Sequence, residues 1–284
     1  MSIPLEDSVS DIIGKAQRGL GLEDQQLAAK AGLSPDELEA VKAVRGVAPD
    51  KVEKLARALK LGPRALTALA EGKYEPKVTP PAPGFFMSNT RYGDMTVNSY
   101  LVWDAETRLA AAFDTGADCL PLVEEIKKQG LTLQDVYLTH THVDHVVELD
   151  RLCEKVGGSI GIHVNEAEGT FDGAAPFKPG VTFSLGRLSI ESRDTSGHSS
   201  GGTTYHIHGL DRPLAIVGDA LFAGSVGGIR SGYEAALGRI RDNILSAQDG
   251  TVIAPGHGPL TTVIQEKTSN PFFPDFRQVV AKDI

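Results

Sequence analysis

Apolar residues recur at helical spacing through the first quarter of the chain: Val9, Ile12 and Ile13, then Leu27, Ala28 and Ala31, then Val52, Leu55, Ala56 and Leu59. One apolar face per helix follows from that period. Ser34-Pro35-Asp36-Glu37 gives a helix start, with a capping hydroxyl, a proline at the first helical position and acids in the first turn. The pattern predicts an all-α segment over 1–77. Beyond residue 85 it changes to short runs with strand character: TVNSYLVW (96–103), LAAAFD (109–114), DVYLTH (135–140), SIGIHV (159–164), LSIESR (188–193), TTYHIH (203–208), LAIVGD (214–219) and TVIA (251–254). Helical patterns lie between them, in CLPLVEEIKKQG, HVVELDRLCEKVGG and YEAALGRIRDNILS. Interleaved strands and helices predict a layered α/β domain over 85–284. Two sheets packed face to face would house these elements, although periodicity alone does not select that arrangement. The junction PKVTPPAPG carries four prolines, so 78–84 reads as a stiff extended linker.

Composition narrows the partners. The net charge of −9 argues against a nucleic-acid or anionic-membrane binder, which favours a basic surface. Two cysteines in unrelated contexts fit a reducing compartment. Without a basic leader or a long apolar run, the expected location is the cytoplasm and no membrane association is expected. The stretch from QQLAAKAGLS to ALKLGPRAL resembles a helix-turn-helix domain of the Cro/repressor type. Its reading helix would be PDELEAVKA, which opens with Asp36, Glu37 and Glu39, acids that would meet phosphate. Acidic and basic residues are equally numerous over 1–77. The expectation is a helical bundle used for packing, for docking or for pairing chains into a homo-oligomer. A DNA-binding ligand sensor is the alternative from another class.

Candidate chemistry is concentrated in His140-Thr141-His142-Val143-Asp144-His145. It follows an apolar strand pattern and precedes a helix. On an extended segment His140 and His142 share a side, and Asp144 and His145 can face the same cavity from the start of the next helix. Imidazole and carboxylate suit zinc, iron or manganese. Three of the chain's eight histidines fall in these six positions.

This run resembles the HxHxDH motif of the metallo-β-lactamase superfamily. Further resemblances follow in order: FDTGAD (113–118), SGHSSGG with His198, IVGDALF with Asp219 and APGHGPLTT with His257. The resemblance spans about 200 residues and implies an αββα sandwich preceded here by the small all-α domain. It implies a dinuclear centre, with His140, His142 and His198 on one metal, Asp144, His145 and His257 on the other, and Asp219 bridging. Two divalent ions, zinc before iron or manganese, would ionise a shared water to a hydroxide that attacks a carbonyl. Asp144 would also orient that nucleophile, and Asp114 would fix a ligand imidazole by a hydrogen bond.

Within the superfamily, GDALFAGSVGG and PGHGPLTTVIQEKTSNPFF resemble glyoxalase II (hydroxyacylglutathione hydrolase) and its compact bacterial relatives. The implied activity is hydrolysis of a thioester such as an S-acyl glutathione. The alternatives are a lactonase or other esterase on the same site and a single-iron persulfide dioxygenase. Arg230, Tyr233 and Lys267 are the nearest candidates for contacts to an anionic substrate. His206 and His208 alternate on one strand with no partner motif, and read as strand-surface residues. His163 reads as a structural hydrogen-bonder, and Cys119 and Cys153 as packed thiols.

Overall fold

The computed structural model describes residues 3–43, 49–170 and 172–276. Residues 44–48, inside the repressor-like stretch, lie outside the described residues. Five helices come first: α1 (Val9–Gly19), α2 (Asp24–Ala31), α3 (Pro35–Ala43), α4 (Pro49–Ala58) and α5 (Pro63–Ala70). Gly32 closes α2 in the left-handed region, at φ 64°, and starts the short turn into α3, the connection a helix-turn-helix pair uses. α1 begins on a reciprocal cap: Ser8 Oγ accepts from the Asp11 N–H, and the Asp11 carboxylate accepts from the Ser8 N–H at 2.9 Å.

The remaining strands form two six-stranded sheets. The first holds β1 (Phe85–Tyr92), β2 (Met95–Trp103), β3 (Leu109–Phe113), β4 (Thr132–Tyr137), β5 (Gly161–Asn165) and β6 (Ala175–Phe177), in chain order. The second contains β7 (Thr182–Leu185), β8 (Leu188–Asp194), β9 (Thr203–His208), β10 (Leu214–Gly218), β13 (Val252–Pro255) and β14 (Thr261–Thr262), ordered β14-β13-β10-β9-β8-β7. A small hairpin, β11 (Leu221–Phe222) and β12 (Ser225–Val226), projects after β10. Helices α6 (Leu120–Gln129), α7 (Val143–Val146), α8 (Leu149–Val156), α9 (Tyr233–Ile240) and α10 (Val263–Ser269) complete the order. A π-helical turn, Arg241–Leu245, extends α9. No helix among the described residues is long and apolar enough to cross a membrane.

The period-two alternation of the strands assigns their side chains to layers. Tyr100, Val102, Ala111, Phe113 and Tyr137 of the first sheet meet Ile190, Tyr205, Ile207, Leu214, Ile216, Val252 and Ala254 of the second. Leu101, Ala110, Ala112 and Val136 turn outward to Leu122, Ile126, Leu149 and Leu152 of α6 and α8. On the far side, Ala215, Val217 and Ile253 turn toward Leu237, Ile240 and Val263. The layers are helix, sheet, sheet, helix, the αββα architecture expected from sequence.

The N-terminal helices join the outer layer. Ile12, Ile13, Leu27, Val52, Leu55, Leu59 and Leu66 belong to the same apolar cluster as Ala215, Val217 and Ile253. Their amphipathic faces are therefore turned inward against the second sheet and its helices. The proline-rich segment runs along the surface, where the Ala82 N–H donates to Asp211 at 2.9 Å and Lys77 and Gln265 exchange two hydrogen bonds. Because Leu55 is fully buried in the shared cluster, Leu55→Ala is expected to destabilise the protein by about 2–5 kcal/mol. The single tryptophan, Trp103, lies in the opposite layer. Its fluorescence should report the same lowered denaturation midpoint. A Trp103 midpoint unmoved by Leu55→Ala would mean that the helices unfold by themselves.

Candidate metal centre

Seven side chains converge where strands of both sheets end. β4 stops at Tyr137, so Leu138–Thr141 leave the sheet as a loop that carries His140. His142 is the N-cap of α7, and the first turn of α7 presents Asp144 and His145. His198 lies in the β8–β9 loop, Asp219 follows β10, and His257 follows β13. The imidazoles of His140, His142 and His198 come together, as do Asp144, His145 and His257, and His140, His145 and Asp219 form a third group of metal-compatible atoms.

The ring nitrogens face one another at short range. His142 Nδ1 lies 3.1 Å from His140 Nε2 and 3.0 Å from His198 Nε2. Ligands about 2.0–2.1 Å from one tetrahedral ion stand about 3.3 Å apart, so these separations fit a shared cation. Asp219 ties the two sets together. One of its oxygens is 3.4 Å from His145 Nε2, and the other is 3.4 Å from both His198 Nε2 and His257 Nε2. Asp144 Oδ2 lies 3.3 Å from His257 Nε2. His145 Nε2 and Asp219 Oδ1 are buried without a hydrogen-bond partner. Buried polar atoms are rarely left in that state, and a divalent cation would satisfy both. The residues present therefore fit a metal centre.

In four of the five imidazoles, those of His140, His145, His198 and His257, the outer nitrogen is tied to an oxygen, which fixes the ring and its tautomer. His145 Nδ1 donates to Asp114 at 2.8 Å and His257 Nδ1 to the Thr96 carbonyl at 2.7 Å. His198 Nδ1 donates to the Gly228 carbonyl at 3.1 Å and His140 Nδ1 to Thr139 Oγ1 at 3.1 Å. The Thr139 hydroxyl in turn donates to Asp114, at 2.7 Å. Asp114 sits in the left-handed region, at φ 55°, which aspartate tolerates better than most residues. Gly256 is required by close approach, because a Cβ there would lie 2.1 Å from Asp219 Oδ1.

Charge divides the histidines into two kinds. Burial drives His140 well below the usual histidine range, and His145 adds to that. Burial also lowers His198, against the pull of Asp219. For His145 burial acts in the same direction, but Asp219 and Asp114 outweigh it and raise the group to about 10. For His257, Asp144 and Asp219 likewise overcome burial and raise it to about 11. Burial favours the neutral carboxyl at Asp219, but His145 and His257 hold it well below the ordinary carboxylate range.

Several supporting residues carry no sequence motif. Glu168 bridges two site loops, accepting from the Thr141 N–H at 2.9 Å and hydroxyl at 2.7 Å and from the Gly201 N–H at 2.6 Å. Asn98 Nδ2 donates to the carbonyls of Pro255 and Gly258 at 2.8 and 2.9 Å, which holds the His257 loop against β2. Glu266 is fully buried and accepts from Gly224 N–H, Tyr74, Thr261 and Asn270, anchoring the β11–β12 hairpin. These groups lie far apart in sequence, and no local pattern announces them.

The remaining expected residues have these surroundings. Tyr233 packs against Gly19 of α1, Lys267 pairs with Asp249 at 2.8 Å and lies over Phe276, and Arg230 is exposed. None of these described contacts joins them to the histidine cluster. His206, read from sequence as a strand-surface residue, is buried and donates to the Asn243 carbonyl at 2.7 Å. The π-helical turn after α9 covers that face of β9, which strand alternation could not reveal. His208 is exposed beside Glu191. His163 stacks on Tyr137 and bonds Asp135 at 2.8 Å.

Known proteins resemble this chain. The "Probable metallo-hydrolase YqgX" of Bacillus subtilis is 30% identical over 206 residues, covering 65% of this chain and 95% of the relative. "Hydroxyacylglutathione hydrolase GloC" of Haemophilus influenzae is 30% identical over 197 residues, covering 62% and 92%. Among solved structures, "TTHA1623 in a di-iron-bound form" superposes with a TM-score of 0.52 at 25% identity, covering 65% of this chain and 99% of that one. The family profile described as the metallo-beta-lactamase superfamily matches residues 92–257, the stretch that supplies every histidine and aspartate of the cluster, and the chain belongs to that superfamily.

Proposed function

We propose that the protein is a dinuclear metallo-hydrolase that cleaves thioesters, of the S-acyl glutathione type or similar. The observation that carries the dinuclear reading is Asp219, whose two oxygens reach ring nitrogens of both histidine sets at 3.4 Å. His140, His142 and His198 would hold one ion, Asp144, His145 and His257 the other, with Asp219 shared. Bound divalent ions would supply Lewis acidity and bring the pKa of a shared water toward neutrality. Asp144, partly buried at the start of α7, orients the nucleophile. The rigid second nitrogens of the four imidazoles keep the site preorganised, so that little reorganisation is needed as charge develops.

Support for a thioester comes from the named relative GloC. The fold alone admits other esters and lactones. Support for two ions comes from the di-iron neighbour. A ligand set of imidazole and carboxylate without thiolate accepts zinc, iron or manganese. DNA binding is disfavoured by the acids Asp36 and Glu39, which are exposed on α3.

Metal analysis of the purified protein is expected to give two divalent ions per chain. With those ions bound, S-lactoylglutathione should be turned over with a kcat/KM at least about 100-fold above that for an acyl-homoserine lactone, a margin of roughly 3 kcal/mol in transition-state binding. A reversed preference would assign a lactonase, and one iron per chain with oxygen consumption would assign a dioxygenase.

A further inference from the structure

The segment before α1 packs on the loop that carries His257. Glu6 lies on the His257 loop: a Cβ built on Gly258 would be 3.2 Å from Glu6 N and 3.5 Å from Glu6 Cβ. Asp7 fastens the segment from the other side, accepting from Ser225 on the β11–β12 hairpin and pairing with Lys15 of α1. Lys15 also donates to the Val226 carbonyl at 2.8 Å and lies 5.0 Å from the centre of the Phe222 ring. The Phe222 ring in turn meets His257 edge-on at 5.8 Å. The strap is thus tied to the loops that carry His257 and follow Asp219. Burial raises the half-buried Glu6 carboxyl above its usual range, and the charges it feels are His257 and Lys15, which favour its ionised form, and Asp7 and Asp219, which oppose it. Lys15 is already committed to Asp7 and a carbonyl, so Glu6 has no described salt-bridge partner of its own.

We infer that Glu6 is a specificity-determining residue of this site, favouring thioesters whose arm beside the reacting bond carries a cation or a hydrogen-bond donor and disfavouring those with a carboxylate there. The inference rests on the hydrolase reading above for its reaction, but the charge preference belongs to the strap. A half-buried carboxylate beside the His257 loop acts on a nearby substrate charge at a lower effective dielectric than water, and it repels a like charge as strongly as it attracts an opposite one. The N-terminal helices have a role in this arrangement: their burial against the second sheet fixes α1, and the capped start of α1 sets where the strap lies.

Three thioesters of similar size separate the charge effect: acetylthiocholine with a fixed cation, S-(3,3-dimethylbutyl) thioacetate as its neutral isostere, and S-acetyl-3-mercaptopropionate as the anion. The full chain with its metals is compared with E6Q and E6K at about pH 8, where an ordinary carboxylate is ionised. The ratio of kcat/KM for the cation to that for the anion is expected to fall about tenfold in E6Q and further in E6K, with the neutral substrate changed by less than about threefold. Calorimetric Kd values for thiocholine and 3-mercaptopropionate provide a second readout independent of turnover, and their ratio should move the same way. If both ratios stay where they were, or all three substrates fall equally, the role of Glu6 is overturned. If none of the three is hydrolysed by the wild type while the Kd ratio still shifts, Glu6 stands and the thioesterase reading fails.

Discussion

His142→Ala and Asp219→Asn are each expected to lower kcat/KM for a thioester by about 1,000-fold or more, because each removes a group that a two-ion site needs to hold its ions and polarise the carbonyl. The two changes act differently. His142 belongs to one set, with its ring nitrogen about equidistant from those of His140 and His198. Its loss should leave one ion bound and the other weak. Asp219 touches both sets. Asparagine keeps the volume but removes the charge, so binding of both ions should weaken. His206→Ala is the control: it removes a buried hydrogen bond to Asn243 on the far face of β9. That change should lower stability by about 1–3 kcal/mol while kcat/KM of the folded protein stays within about threefold. Metal content and steady-state kinetics on the same preparations check all three. A His142→Ala variant with two ions and full turnover would remove the ligand assignment.

The contrast between His142 and His206 shows what the sequence could and could not reveal. Residues 140–145 concentrate their chemistry in six positions; Asp219 and His257 follow apolar runs that end in glycine, and His198 follows a Ser-Gly turn after a strand pattern. Strand ends and imidazole spacing are local signals, so the cluster was legible. The αββα layering was legible for a similar reason. β10 alternates Leu214 and Ile216 toward one layer with Ala215 and Val217 toward the other, and only burial on both faces tolerates a run that apolar. Strand alternation gives a face but not what covers it. His206 therefore passed for a surface residue, and for the helical segment the sequence left packing, docking and chain pairing side by side, of which the apolar cluster shared by α1, α4 and the second sheet displays the packing. Short edge elements such as β6 and β14 carry too few residues to show a period. Glu168, Asn98 and Glu266 act across long separations, 160 residues in the case of Asn98 and Gly258, and one sequence holds no trace of such a pairing. Glu6 belongs to the same class.

Metal loading should release protons, and unequally for the two ions. In the metal-free cluster His145 and His257 are raised to about 10 and 11, by Asp219 with Asp114 and by Asp144 with Asp219. Both are therefore protonated at neutral pH, and both belong to the same proposed ion. His140 and His198 are lowered, chiefly by burial, and offer free lone pairs. The ion held by His140, His142 and His198 should enter with little proton release. The ion held by Asp144, His145 and His257 should expel about two protons, so its apparent affinity should fall about 100-fold for each unit of pH lost near neutrality. The sign for folding is opposite. A raised histidine stabilises the metal-free fold fully below its unfolded value, about 6.5, and that contribution is lost as pH rises through 10 and 11. Metal and proton thus compete for the same nitrogens, with acid favouring the ion-paired apo cluster and alkali the loaded one. Calorimetric zinc titrations in buffers of different ionisation enthalpy measure the protons released at each step. Equal release at both steps would mean that the two sets are not electrostatically distinct, and no release at either would mean that His145 and His257 are already neutral and that Asp144 and Asp219 do not hold protons on them.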